Sequence, residues 1–310
     1  MFFINNIMKK NFIISTIILL IGGLITKILG MLIKIIMTRQ IGIENLSLYM
    51  LILPTFSLFI NLGQIGLPIA LSRLVALNNR NNKKLYLSII PITILINILL
   101  TIIIILSANF ISTTLLHNSI LKLSIIAIAL VIPFTTLSGI CRSYFFGKEK
   151  MTPHMISLIT ENIIRLILML TVIRKIINLK SKYIIFYLVI SNIISELSSI
   201  IILILFIPRN IKIELKDLKP NKKNIYDSYK LGIPNVGSNI IQSISYFLEP
   251  IIITNILLKL NYTSTYITHE YGIITGYVIP LLLLPSFFTL AISQALMPYI
   301  TKEHLNKNNI

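Results

Sequence analysis

Residues 15–37 read STIILLIGGLITKILGMLIKIIM. About 20 apolar residues at a rise of 1.5 Å each cross the hydrocarbon core of a bilayer, so this stretch predicts a transmembrane helix. Gly23, Lys27, Gly30 and Lys34 follow one another in steps of four, three and four, which places them on one helix face. A charge at mid-membrane costs several kcal/mol on most scales, so such residues usually face a bundle interior or a watery cavity. The alternative is that the lysine stems snorkel to an interface. Lys34 is near enough to the far side to do so, whereas Lys27 is too central to escape easily.

The rest of the chain extends the same reading. Of 310 residues, 55% are hydrophobic and only 12% charged, and the mean hydropathy is +0.87. Soluble domains carry about 25% charged residues, so a polytopic membrane protein is expected. The formal net charge of +18 would point to nucleic acid in a soluble chain. Here the lysines concentrate in alternate loops, and the positive-inside rule accounts for them without a nucleic-acid partner. The single cysteine, Cys141, rules out an intramolecular disulfide. Lys9 and Lys10 precede an apolar run that continues past the length of a signal sequence and lacks a small-residue cleavage site, so it reads as a retained first helix.

Eight spans are expected, at about 12–37, 46–76, 86–109, 121–145, 153–174, 183–207, 229–259 and 271–300. With the N-terminus inside, 18 of the 28 Lys and Arg, Arg142 among them, fall on the cytoplasmic side, and both termini are placed there. The loop Arg174–Lys182 is an exception. The expected organisation is all-α: a complete six-helix lobe over 1–207, a basic cytoplasmic loop over 208–230, and the first two helices of a second lobe over 231–310. An internal echo supports a restarted plan. Leu53-Pro54-Thr55-Phe56 recurs as Leu284-Pro285-Ser286-Phe287, each followed by a second proline, Pro68 or Pro298, and then a basic residue.

Few charges lie within the spans. Glu161 and Arg165 are spaced i,i+4 in the favourable order, and either neutralise one another or leave the guanidinium facing the same cavity as Lys27. Glu196 stands alone and reads as an interhelical hydrogen-bonding group. Glu249 precedes Pro250, which removes a backbone donor and frees the carbonyl near 246, giving either a proton or cation site or a simple kink. Asn235, Asn239 and Gln242 share a face, and such amides mostly join helices.

An enzyme is not expected. The only aspartates, Asp217 and Asp227, form no paired metal site, and histidines 117, 154, 269 and 304 have no ligand spacing. No phosphate loop of the Walker type occurs. A basic, glycine-containing cavity face suits an anion carried on an amphipathic or lipid-linked molecule.

These residues resemble a known family. TKILGMLIKIIMTRQIG (26–42), LYMLILPTFSL (48–58), GLPIALSRLVA (66–76), CRSYFFGKEKMTP (141–153), ENIIRL (161–166), LEPIII (248–253), YGIITG (271–276) and LPSFFTLAISQALMPYITKE (284–303) match in order. The chain is similar to the stage V sporulation protein B-like polysaccharide exporters of the multidrug/oligosaccharidyl-lipid/polysaccharide flippase superfamily. The resemblance implies flipping of a polyprenyl-diphosphate-linked saccharide, a cell-wall or spore-cortex peptidoglycan precursor, across the bacterial plasma membrane by alternating access. The family's basic positions fall on Lys27 and Lys34, its Glu/Arg pair on Glu161 and Arg165, and its Glu-Pro on Glu249 and Pro250. No cofactor is implied beyond a coupling ion, H+ or Na+.

Relatives carry a complete second lobe. This chain reads as stopping after its eighth helix, so a separate polypeptide supplying the missing helices is a partner to consider. The competing functions are a drug or metabolite antiporter of the same superfamily and a non-transporting accessory membrane protein of wall synthesis.

Overall fold

A computed structural model describes residues 2–77, 82–207, 221–286, 288–290, 292–293 and 296. The side chains of 2–12, 77, 82–84, 223, 233–236 and 238 lie outside the described set, as does the 208–220 part of the expected loop. The described residues are helical, with no strand among them. In order they form α1 (Phe2–Gln64), α2 (Leu67–Leu77), α3 (Asn82–Phe110), α4 (Lys122–Gly147), α5 (Met151–Ile176), α6 (Ser181–Ile190), α7 (Asn192–Leu205), α8 (Lys222–Lys259), α9 (Ser264–Ile273), a π-helical turn (Ile274–Val278) and α10 (Ile279–Leu282).

Six helices among the described residues are long and apolar enough to cross a membrane. The first of these, Ile13–Gln64, has 52 residues. At 1.5 Å per residue that is about 80 Å, far more than one crossing needs. Gly42 breaks it with non-helical angles, φ 78° and ψ 165°, a conformation that glycine adopts without a Cβ penalty. The break gives α1 two arms, corresponding to the first two expected spans. The second expected span is itself interrupted at Ile65 and Gly66, both at positive φ. There Gly232 of α8 comes so close that an added Cβ would lie 3.2 Å from the Ile65 carbonyl. The sixth span divides at Ser191 into α6 and α7, and the seventh begins at Lys222, two turns before the expected edge.

The exterior is apolar as well as the core, unlike that of a water-soluble bundle. The outer face of α3 shows Leu95, Leu99, Ile103 and Leu106, the last 79% exposed. A bilayer is the solvent in which such a face is stable. The centre belongs to α4, where Ile125, Ile128, Val131 and Ile132 are fully buried. Antiparallel to it runs α3, as bonds from Thr101 to the Ala129 carbonyl, Thr136 to Asn97, and between Tyr86 and Ser143 show. The first arm of α1 runs parallel to α5: Gly22 packs on Met155, and Ile33 and Met37 share a core with Met169 and Ile173. First and fifth helices of an up-and-down bundle must run this way.

The eighth segment wedges against both arms of α1. Gly272 and Gly276 of α9 and its π turn are four residues apart, the spacing that lets membrane helices approach backbone to backbone. A Cβ on Gly272 would overlap Ser47 down to its Cα, and Gly276 faces Leu46 and Met50. Gly237 in α8 has nothing within 4 Å of an added Cβ. Gly272→Ala should therefore cost about 1–3 kcal/mol of thermal stability in detergent, whereas Gly237→Ala should gain about 0.5–1 kcal/mol. Equal effects of the two substitutions would contradict the close approach.

Candidate functional site and relatives

The glycine–lysine face of the first arm is only partly covered. An added Cβ at Gly23 or Gly30 meets nothing within 4 Å, so this part of the face borders open space. Lys27, between them, is half-buried and makes no hydrogen bond or ion pair among the described residues. Two turns further on, the same face reaches the eighth segment. The Lys34 Nζ donates to the Gly276 carbonyl at 3.2 Å, and the Thr38 and Tyr277 hydroxyls are hydrogen-bonded to one another. Lys34 thus points inward instead of snorkelling. The α1/α5 register sets Lys27 at about the height of Glu161.

Glu161 and Arg165 meet as their spacing predicts, Arg165 Nη2 donating to Glu161 Oε1 at 2.6 Å. The same carboxylate also takes Arg142 of α4 on Oε2. Arg142 continues to Ser199 Oγ at 2.7 Å and stands 3.6 Å from Glu196 Oε2, which in turn accepts from Ser138. Two arginines and two carboxylates therefore form one neutral cluster fastening α4, α5 and α7. Glu161 and Glu196 are only 6% and 5% exposed. No bond among the described residues joins this cluster to Lys27. Arg142, expected among the cytoplasmic cations, lies instead inside α4, five residues before the helix ends at Gly147, with its charge turned into the bundle.

In α8, Glu249 is half-buried and within electrostatic reach of Tyr246 and of Tyr271, whose buried hydroxyl has no hydrogen-bond partner among the described residues. Asn239 offers its carbonyl to Ser243 at 2.7 Å, and the Ser243 oxygen accepts from Asn61 at 2.6 Å, tying α8 to the second arm of α1. The Asn235 side chain lies outside the described residues. An apolar cavity of about 110 Å³ between α3, α4 and α7, lined by Tyr86, Cys141, Tyr144 and Leu203, presents no ionised group. No cluster of three potential metal ligands occurs among the described residues.

Comparison with known proteins places this architecture. The family described as "Polysaccharide biosynthesis protein" matches residues 13–304. The chain belongs to this family. Stage V sporulation protein B of Bacillus subtilis (strain 168) is 30% identical over 304 residues, covering 95% of this chain and 59% of the relative. Sporulation protein YkvU of the same organism is 23% identical over 305 residues, covering 95% and 66%. The chain thus spans about three fifths to two thirds of the length of these relatives.

Solved structures of similar fold include the MATE multidrug transporter DinF-BH. It has a TM-score of 0.70 at 15% identity, and the match covers 94% of this chain and 65% of that one. An inward-facing multidrug resistance MATE family transporter of the MOP superfamily gives 0.65 at 16% identity, over 87% and 60%. At such identities the likeness is one of fold.

Within this polysaccharide-biosynthesis family member, the ion cluster is the part that sequence reading left incomplete. The available signal was the i,i+4 spacing of Ser138 with Arg142 on α4, and the serines flanking Glu196 on α7. Removing one member should expose the penalty of an unpaired buried charge. Glu161→Gln, which leaves two guanidinium groups to the one carboxylate of Glu196, should cost about 3–5 kcal/mol of stability in detergent. Adding Arg165→Gln restores charge balance and should recover at least half of that loss. A double variant no more stable than Glu161→Gln would show that the cluster is not held by charge balance.

Proposed function

We propose that this chain takes part in moving a polyprenyl-diphosphate-linked saccharide, a peptidoglycan precursor, across the bacterial plasma membrane by alternating access. The observation that carries this reading is the state of Lys27. It is the half-buried cation on an uncovered helix face, while Arg142, Arg165 and Lys34 are all engaged. A diphosphate brought to that face meets a point charge suited to phosphate. In a partly dehydrated cavity the pair is worth far more than in water. The relatives' own names supply the link to polysaccharide biosynthesis and sporulation. Glu161 serves this site from behind by tying α5, on which the first arm of α1 packs, to Arg142 of α4, with Arg165 balancing the charge.

Glu249 is the group available for a coupling ion. Pro250 cannot donate to the Tyr246 carbonyl, so the backbone oxygen three residues before the carboxylate loses its α-helical donor, a combination suited to taking H+ or Na+. An antiporter of drugs or metabolites would need the open face to carry acidic or aromatic groups, and it carries Lys27.

Two measurements test the reading. In an assembly with the relatives' full complement of helices, Lys27→Arg should retain most translocation of a labelled lipid-linked precursor, and Lys27→Ala should abolish it while inserting normally. An unchanged rate in Lys27→Ala would remove Lys27 from the site. Both termini and the 208–230 segment are assigned to the cytoplasm on the positive-inside rule. Asn221→Cys, in a Cys141→Ser background, should then resist an impermeant maleimide in intact cells and react after permeabilisation. Labelling from outside would invert the topology.

A further inference from the structure

The contact between Lys34 and the eighth segment has a chemical cause that points to a further role. In an α-helix the Gly276 carbonyl would accept from the N–H of residue 280. That residue is Pro280, which has no N–H. Around it the backbone widens into a π-helical turn over Ile274–Val278, a form often found where a membrane helix must satisfy freed carbonyls. The Gly276 oxygen, which Pro280 deprives of its α-helical donor, accepts from the Lys34 ammonium at 3.2 Å. Beside it the Thr38 and Tyr277 hydroxyls close a second bond between the same two elements. Neighbouring side chains do not offer Lys34 a carboxylate: it makes no ion pair among the described residues, and Lys27 on its own helix is of like charge.

We propose that Lys34, the Gly276 carbonyl and Pro280 form a latch that a diphosphate opens. With the site empty, the ammonium holds the π turn of the eighth segment against the first arm of α1. When a diphosphate settles at Lys27, about 10 Å along the same face, its anionic oxygens compete for Lys34. A charged acceptor binds an ammonium more strongly than a neutral carbonyl does, so Lys34 swings to the ligand. The eighth segment then keeps the Thr38–Tyr277 bond, the bond from Ser47 Oγ to the His269 carbonyl at 3.4 Å and glycine packing as its ties to α1. The vacated carbonyl is hydrated by the cavity that opens. Binding of the anionic head group is thereby converted into separation of the two elements that Lys34 joins. This inference rests on the anion-binding reading of the Lys27 face.

The test uses the whole 310-residue chain in lipid nanodiscs, with Cys141→Ser and nitroxide labels at Ile35→Cys and Val278→Cys. Both positions are exposed and lie beside the latch without belonging to it. Pulsed electron resonance then reads the distance between the two elements. The probes are inorganic pyrophosphate and undecaprenyl diphosphate, so a response to the lipid alone assigns the ligand to a membrane head group and a response to both to the diphosphate itself.

Ligand should lengthen the distance in the parent. Lys34→Met should populate the longer distance without ligand and show no further change on adding it. Pro280→Ala is the second variant, because it returns the missing N–H to Gly276 and frees Lys34 without removing its charge. It should also lengthen the distance, and it should bind pyrophosphate about ten-fold more tightly, the gain expected when one hydrogen bond need not be broken first. A tighter-binding variant cannot be mistaken for a misfolded one.

Unchanged distances in both Lys34→Met and Pro280→Ala would overturn the latch. Binding of either diphosphate with no change of distance would also overturn it and leave the proposed function standing. Opening in both variants without binding of either probe would contradict the anion-binding reading, and with it the release step.

Discussion

A charge inside hydrocarbon has to be answered by an opposite charge or by a cavity, and the arrangement of this bundle follows from that constraint. Arg142, Glu161, Arg165 and Glu196 come from three helices and cancel one another, with Ser138 and Ser199 taking up further bonding positions. Apolar packing between membrane helices discriminates weakly, because lipid tails are as apolar as leucine. The cluster supplies the register that packing alone leaves loose: it fixes α5 and α7 on the central helix α4. Since α5 in turn carries the first arm of α1, the height of Lys27 is set by charges that it never touches.

The second constraint is backbone approach. Gly42 turns α1 into two arms, and Gly272 and Gly276 let the eighth segment settle against both of them. Pro280 then costs this segment one helical bond, and Lys34 repairs it from α1. Proline and glycine, which weaken helices in water, are used here to make a contact between elements more than two hundred residues apart in sequence. One of the ties across that contact is a single ammonium on a neutral carbonyl, which a charged acceptor can outcompete.

The fold was legible because apolar length is an unambiguous signal: the arms of α1, α3, α4, α5 and α8 stand close to where hydropathy places them. Breaks within spans were not, because Ile65 and Gly66, or Ser191, interrupt helices for reasons of packing that hydropathy does not record. The glycine–lysine face and the Glu161–Arg165 pair were readable from spacing along a single helix. Arg142 and Glu196 were not, since their partners lie on other helices, and a basic residue near a span end is indistinguishable from a loop cation by composition. The proline echo is not reproduced in local structure, as Pro54 sits inside α1 and Pro285 in a turn. Pro298 lies outside the described residues.

What separates Lys27 from Arg142, Arg165 and Lys34 is that it has no hydrogen-bond or ion-pair partner among the described residues, and the proposed function assigns its counter-charge to a ligand. Native mass spectrometry of the chain ejected from nanodiscs, loaded with equal amounts of undecaprenyl diphosphate and undecaprenyl alcohol, tests this directly. The account predicts that the diphosphate is retained in preference to the alcohol and that Lys27→Gln erases the preference. Equal retention of the two lipids by the parent chain, or an undiminished preference in Lys27→Gln, would contradict it.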